Sequence, residues 1–281
     1  MYFTIQRVLP ALLLICFVGT SVRAQNTASG FPVPVNDIVT DRTSVRNTPL
    51  QSASLRAADI AWQKRIWRVI DVKEKINHTF SYPERPLVSI FLDAAAAGKI
   101  QLYSTLDDTF STPLTEEERL NIAGRPDTVP VYGIEEEELT YEIVAREFDP
   151  GSVVRYRIQE IWYFDKETSR QEVRILGMAP IVDERDEYGN VKYERPLFWV
   201  YYPGAREALG TELAYTVGND AANRNWTDIF DSRFFHSYVT KESNIHGRRI
   251  EDFLPAGRDR MLRSRAIEAG LLGREQDSWS H

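Results

Sequence analysis

From Ala58 onward the apolar residues recur at spacings that predict helix first, then strand, then helix again. Trp62, Ile66, Val69, Ile70 and Ile76 follow a 3.6-residue period, with Lys64, Arg65, Arg68, Asp71 and Lys75 mostly off that stripe. The spacing predicts a helix in which Asp71 and Lys75 pair across one turn. After the Tyr82-Pro83 break a second helix is expected. Pro86 stands at its start, Leu87, Ile90, Phe91, Ala94 and Ala95 form its apolar face, and Gly98 ends it. Residues 100–103 read as a strand, and Thr115 caps a short acidic helix running to Ala123.

In the middle third the period changes to two. Val154, Tyr156, Ile158, Trp162 and Phe164 alternate with Arg155, Arg157 and Gln159. A polar turn leads to a second strand over 172–181, and Glu187-Tyr188-Gly189-Asn190 makes another turn before the apolar run 197–202. Trp226, Ile229, Phe230, Phe234 and Tyr238 return to helical spacing, with Thr227 as a cap, and a basic helix follows over 257–269. The expected fold class is α+β: an antiparallel β-meander in the middle, flanked by N-terminal and C-terminal helices.

The amino terminus follows a different logic. Arg7 precedes a short apolar run, and Val22-Arg23-Ala24 presents small residues where a signal peptidase reads. Residues 1–24 are therefore read as a signal peptide cleaved between Ala24 and Gln25. The apolar run falls short of the ~20 residues that span a bilayer, and no later stretch reaches that length. Ile15 before Cys16 disfavours lipid attachment, which wants a small residue there. Residues 25–57 read as an extended or disordered leader, and 58–281 as a single α+β domain with a basic C-terminal helical segment.

Cleavage removes Cys16, the single cysteine, so the mature fold relies on its own apolar core. It also removes Arg7 and Arg23, leaving 32 basic residues against 41 acidic and a net charge of −9. That balance argues against a nucleic-acid partner. One region departs from it: residues 241–274 hold eight basic and five acidic side chains. Arg258 and Arg265 stand seven apart with Leu262 between them, so the three share one helical face and are the candidate partner contacts.

Chemistry-bearing patterns are sparse. No Ser occupies a G-x-S-x-G elbow, and His78, His236, His246 and His281 have no zinc-ligand spacing. The acidic stretch 183–194 fails the register of a calcium loop and reads as a hairpin turn, and the run Glu135 to Glu138 reads as a solvated face. No catalytic residue, metal ligand or cofactor is assigned. Trp62, Trp162 and Trp226 fall on apolar faces and are expected in the core. Asn77-His78-Thr79 and Asn225-Trp226-Thr227 match the glycosylation pattern.

Four segments carry a resemblance. RIWRVIDVKEKINHTFSYPE (65–84), EIWYFD (160–165), PLFWVYYPGARE (196–207) and above all NWTDIFDSRFFHSYVTKESN (225–244) resemble the GldN/PorN family of gliding-motility and type IX secretion proteins of the Bacteroidetes, in matching order over about 60–255. The resemblance implies a non-catalytic periplasmic structural subunit on the inner side of the outer membrane. Its implied partners are a GldK/PorK-like outer-membrane lipoprotein, with which it forms a ring, neighbouring copies of itself, and the periplasmic part of a GldM/PorM-like motor subunit. The competing expectation is a periplasmic glycan-binding protein or glycan-processing hydrolase using paired acids and tryptophans in a cleft.

Overall fold

The computed structural model describes Pro49 and residues 54–132, 139–186, 188–219 and 224–278. Strand β1 (Ile60–Asp71) is the first strand of the described chain, followed by helix α1 (Leu87–Ala96), strand β2 (Leu102–Tyr103) and helix α2 (Glu116–Ala123). A hairpin of β3 (Gly124–Tyr132) and β4 (Leu139–Glu147) forms its own two-stranded sheet. Then come β5 (Val153–Asp165), β6 (Arg170–Arg185), β7 (Val191–Pro196) and β8 (Trp199–Tyr201), helices α3 (Tyr202–Thr211) and α4 (Trp226–Asp231), β9 (Tyr238–Glu242) and the long α5 (Gly257–Ser278). The main sheet runs β2-β8-β6-β5-β1-β9, with β7 also on β6, and every described pairing is antiparallel. The fold class is α+β, with an antiparallel sheet flanked by helices, as the pattern indicates. From Ser44 to the carboxyl terminus the chain forms one compact unit.

The first expected helix is instead β1, which lies between β5 and the edge strand β9. Both of its faces are covered over Ile66–Ile70, so the strand loses its alternation and imitates a helical stripe. Ile66 and Ile70 point to one face of the sheet and Trp67 and Val69 to the other, while the β-branched content favours the strand. The expected Asp71–Lys75 pair does not form. Asp71 closes the strand, accepts the Lys73 N–H at 2.9 Å and lies 3.9 Å from Arg155.

The second helix forms as read. Pro86 precedes it without offering a side-chain cap, and the Val88 N–H donates to the Tyr156 hydroxyl at 3.1 Å instead. That hydroxyl is buried, which drives its pKa upward and keeps it neutral. At the other end Gly98 takes φ 69°, and Arg119 from α2 donates to the Ala95 carbonyl at 2.9 Å. The Thr115 cap of α2 forms a reciprocal box with Glu118.

β5, β6 and β7 form an antiparallel meander, with Asp186 accepting the Tyr188 and Asn190 N–H groups in the expected turn. The third strand, however, begins at Val191, inside the stretch read as turn, and the run 197–202 is divided between β8 and the start of α3. The expected alternation in β5 holds only over 156–158. A bulge at Val153–Arg155 buries Val153 in place of Val154, and a second at Gln159–Glu160 buries Gln159 and Glu160 and leaves Tyr163, not Trp162 or Phe164, fully buried beyond it. The principal core lies on the Tyr156/Ile158 face, between the sheet and α1, α3 and α4. Phe80 is its centre, 5.2 Å from Trp226, 5.6 Å from Tyr156 and 5.8 Å from Phe230 by ring centroids. Each such pair adds ~0.5–1.5 kcal/mol to the area buried. A smaller cluster of Ile66, Val239, Ile250, Ile267 and Leu271 seats α5. On the opposite face Trp67, Ala179 and Trp199 pack under Phe110. Gly177 permits this, since a Cβ there would lie 2.3 Å from the Phe110 ring.

The aromatic helix expected over 226–239 is a shorter element. Helix α4 stops at Asp231, Arg233 turns the chain at φ 52°, and Tyr238 already belongs to β9. Phe230 is buried as expected, whereas Phe234 is 49% exposed. Asn225, not Thr227, is the cap residue; its N–H donates to Asp228 at 3.2 Å.

Candidate interaction surface

The segment 225–244 is tied to each of the other three family-like segments. Toward 65–84, the Arg68 guanidinium donates to the Ser237 hydroxyl at 2.8 Å and to its carbonyl at 3.1 Å. The buried Asn77 amide bridges the Asp71 and His236 carbonyls at 2.8 and 2.9 Å and accepts the His236 N–H at 3.0 Å. Toward 160–165, Arg233 meets Glu160 at 2.8 Å. Toward 196–207, Arg206 donates through both terminal nitrogens to Asp231 at 2.8 Å, and Tyr202 stacks edge-on with Phe230 at 5.4 Å. Asn77 and Asn225 are both buried in this network, so the two glycosylation patterns are structural positions in the folded chain.

Helix α5 is docked by polar and apolar contacts together. Its Ser264 hydroxyl accepts the Val239 N–H at 2.9 Å, satisfying a donor on the outer edge of β9. Glu268 pairs with the buried Arg68, and Gln171 donates to the Leu271 carbonyl at 3.0 Å. Ile267 and Leu271 supply the apolar part. Trp62 and Trp162 pack against this cluster, with Arg274 4.7 Å above the Trp62 ring, while Trp226 sits in the principal core.

That docking fixes which face of α5 meets solvent. Arg258, Leu262 and Arg265 all lie on the exposed side, Leu262 with 54% of its surface open. Neither Arg258 nor Arg265 forms an ion pair with a described residue. Arg265 lines a cavity of about 550 Å³ between α5 and β9, together with Glu268, Arg249 and Tyr238; Arg258 and Leu262 lie outside it. Ala24, Gln25 and the Glu135 to Glu138 run lie outside the described residues.

A second apolar surface was not legible in the sequence. Ile76, Tyr215, Val217 and Phe234 are exposed around one cavity, with Lys75 and Arg224 beside them. Arg224 lies 4.6 Å above the Phe234 ring, and Tyr82 and Tyr215 stack in parallel at 4.3 Å. Finding it from the sequence required knowing that α4 ends three residues before Phe234.

Among the described residues no group of three or more His, Cys, Asp and Glu is placed to hold a metal ion, and no helix is long and apolar enough to cross a membrane. The ties above define an α+β protein whose most distinctive residues hold its own segments together. The family model described as gliding motility associated protein GldN matches residues 55–280, and the chain belongs to that family. It is thus a component of the gliding-motility and type IX secretion machinery. No curated protein matches the chain.

Proposed function

We propose that this chain is a non-catalytic structural subunit working in the periplasm. It is held at the inner face of the outer membrane by a GldK/PorK-like lipoprotein, repeats around a ring with that partner, and touches the periplasmic part of a GldM/PorM-like motor subunit. The observation that carries this reading is the family match over 55–280. The internal ties support it, because the residues that make the family-like segments distinctive are engaged in holding the fold. The exposed cationic flank of α5 gives such a subunit a polar surface to offer a partner.

The test is purification of the native protein from envelope fractions. Co-elution with a lipoprotein partner as a large assembly is expected. A small monomer that binds no lipoprotein and turns over glycan would replace this reading with the hydrolase one.

A further inference from the structure

Most buried or half-buried arginines of this chain have a carboxylate: Arg68 has Glu268, Arg155 has Glu194, Arg195 has Glu184 and Arg233 has Glu160. Arg157 does not. It projects from β5 on the face opposite the principal core, level with Val69 and Ala179, and makes no hydrogen bond or ion pair with a described residue. Burial first, and then the neighbouring Arg249 guanidinium, depress its pKa, while the carboxylates of Glu194, Glu251 and Asp108 offset part of that. Of the nearby carboxylates, Glu194 is engaged by Arg155 and Glu251 by Arg249 at 3.2 Å, while Asp108 is unpaired among the described residues.

Arg157 and Arg249 line a cavity of about 250 Å³ whose other cation is Lys241. Lys241 has no carboxylate either; its ammonium stands 4.3 Å above the Trp67 ring. Trp67 and Trp199, both buried, form the aromatic lining. The Trp67 indole N–H has no hydrogen-bond partner, nor has the amide of Gln159, which lies directly across from Trp67 in the β1–β5 register. A polar deficit and a charge deficit thus meet on one patch of sheet.

We propose that this cavity binds a small organic acid bearing a single carboxylate, held by Arg157 and Arg249 and packed against the indoles. Arg157 and Lys241 are the lining cations without a carboxylate, because Arg249 also pairs with Glu251, and the neighbouring Asp107 and Asp108 temper the local positive charge, which suits a monoanion better than a phosphate dianion. Asp107 is occupied within its own loop, accepting from Thr109 and Ser111. Asp108 acts on the Arg157 guanidinium without pairing with a described residue and competes with the ligand. Guanidinium forks grip planar carboxylates bidentately, and the flat indoles accommodate an attached apolar group.

The test is calorimetric titration of the purified mature chain with sodium benzoate at constant ionic strength, with acetate and inorganic phosphate as parallel arms. Saturable benzoate binding, tighter than acetate, is expected. It weakens roughly ten- to a hundredfold in Arg157→Gln, the loss of one charge-assisted contact. Arg249→Gln, at a half-exposed position that tolerates change, weakens it in the same direction. Lys192→Gln, on the exposed β7, leaves it unchanged, and Asp108→Asn tightens it. No saturable benzoate signal, equal affinity in wild type and Arg249→Gln, or saturation by phosphate alone would overturn the proposal. So would a fall in thermal midpoint for Asp108→Asn, which would make Asp108 the built-in counter-ion.

Discussion

Arg233 meets the carboxylate of Glu160 at 2.8 Å, and Glu160 has no solvent exposure. The strand residue and the turn residue lie 73 positions apart, so the pair fastens the end of α4 to the middle of the sheet. The Trp162 indole N–H donates to the other carboxylate oxygen at 3.0 Å, and Arg233 also lies over the Trp162 and Phe235 rings at 5.6 and 5.5 Å. Removing one partner of a buried pair strands the other charge, which costs about 3–5 kcal/mol. Arg233→Ala should therefore lower stability by that amount in urea unfolding, while the double change Glu160→Met with Arg233→Met should recover most of it. Equal losses in the two variants would show that packing, not charge, holds this corner.

Two phenylalanines four residues apart make a second contrast. Phe230 is 1% exposed and packs on Phe80, Tyr202 and Trp226, so Phe230→Ala should cost about 3–5 kcal/mol. Phe234 is half exposed with Arg224 above its ring, and Phe234→Ala should cost under ~1 kcal/mol. Midpoints of chemical unfolding distinguish them directly. Similar losses at both positions would mean that the turn at Arg233 does not expose Phe234.

The same pair of residues shows where sequence reading stops. Helix α1 was legible because one face is apolar and the other is not, and α2 because Thr115 and Glu118 announce its start. The β5–β6 hairpin was legible because alternation and turn residues agree, whereas β7 was not, since its exposed, mostly polar residues 191–194 read as part of the turn. Strand β1 was not, since burial on both faces erased its period-two signal. Helical spacing over 226–238 ran on through a turn that Arg233 makes at positive φ, a feature no apolar pattern encodes. No strand was expected over the 124–147 hairpin; its Pro126 and Pro130 are tolerated because a two-stranded sheet has only edges. Helix α3 follows β8 with no side-chain cap at Tyr201 to mark the change. The exposed flank of α5 followed from spacing alone, but the unpaired state of Arg157 required knowing the strand register and which carboxylates around it are engaged by other arginines.

Acid should loosen the loop that carries Phe110. The Asp107 carboxylate accepts the Thr109 hydroxyl at 2.6 Å, the Thr109 N–H at 2.8 Å and the Ser111 hydroxyl at 2.9 Å. These bonds, the Thr109 hydroxyl first, hold its pKa below the ordinary carboxylate value. A depressed folded pKa means the stabilisation is fully present above the unfolded value of ~3.9 and is lost as pH falls through the folded one. An NMR titration should place the Asp107 midpoint below ~3.9, and Thr109→Val should move it upward. A midpoint at the ordinary value would show that these bonds do not persist in solution.

Charge reversal on α5 separates folding from assembly. Arg258 and Arg265 are exposed and unpaired with described residues, so Arg258→Glu with Arg265→Glu should leave the unfolding midpoint within about 0.5 kcal/mol of wild type. The helix keeps its seat, because Ser264, Ile267, Glu268 and Leu271 face the sheet and are untouched. Docking on an acidic partner surface should nevertheless weaken, since two attractive contacts become repulsive. Raising salt should weaken the wild-type complex in the same direction, because exposed charges are screened beyond a Debye length of ~8 Å at physiological ionic strength. Co-purification with the lipoprotein partner, measured for wild type at several salt concentrations and for the reversed variant at one, reads out both effects. Full recovery of the partner by the reversed variant would remove this flank of α5 as the contact while leaving the structural-subunit reading in place. Loss of the complex together with a lowered unfolding midpoint would show instead that these side chains support the fold.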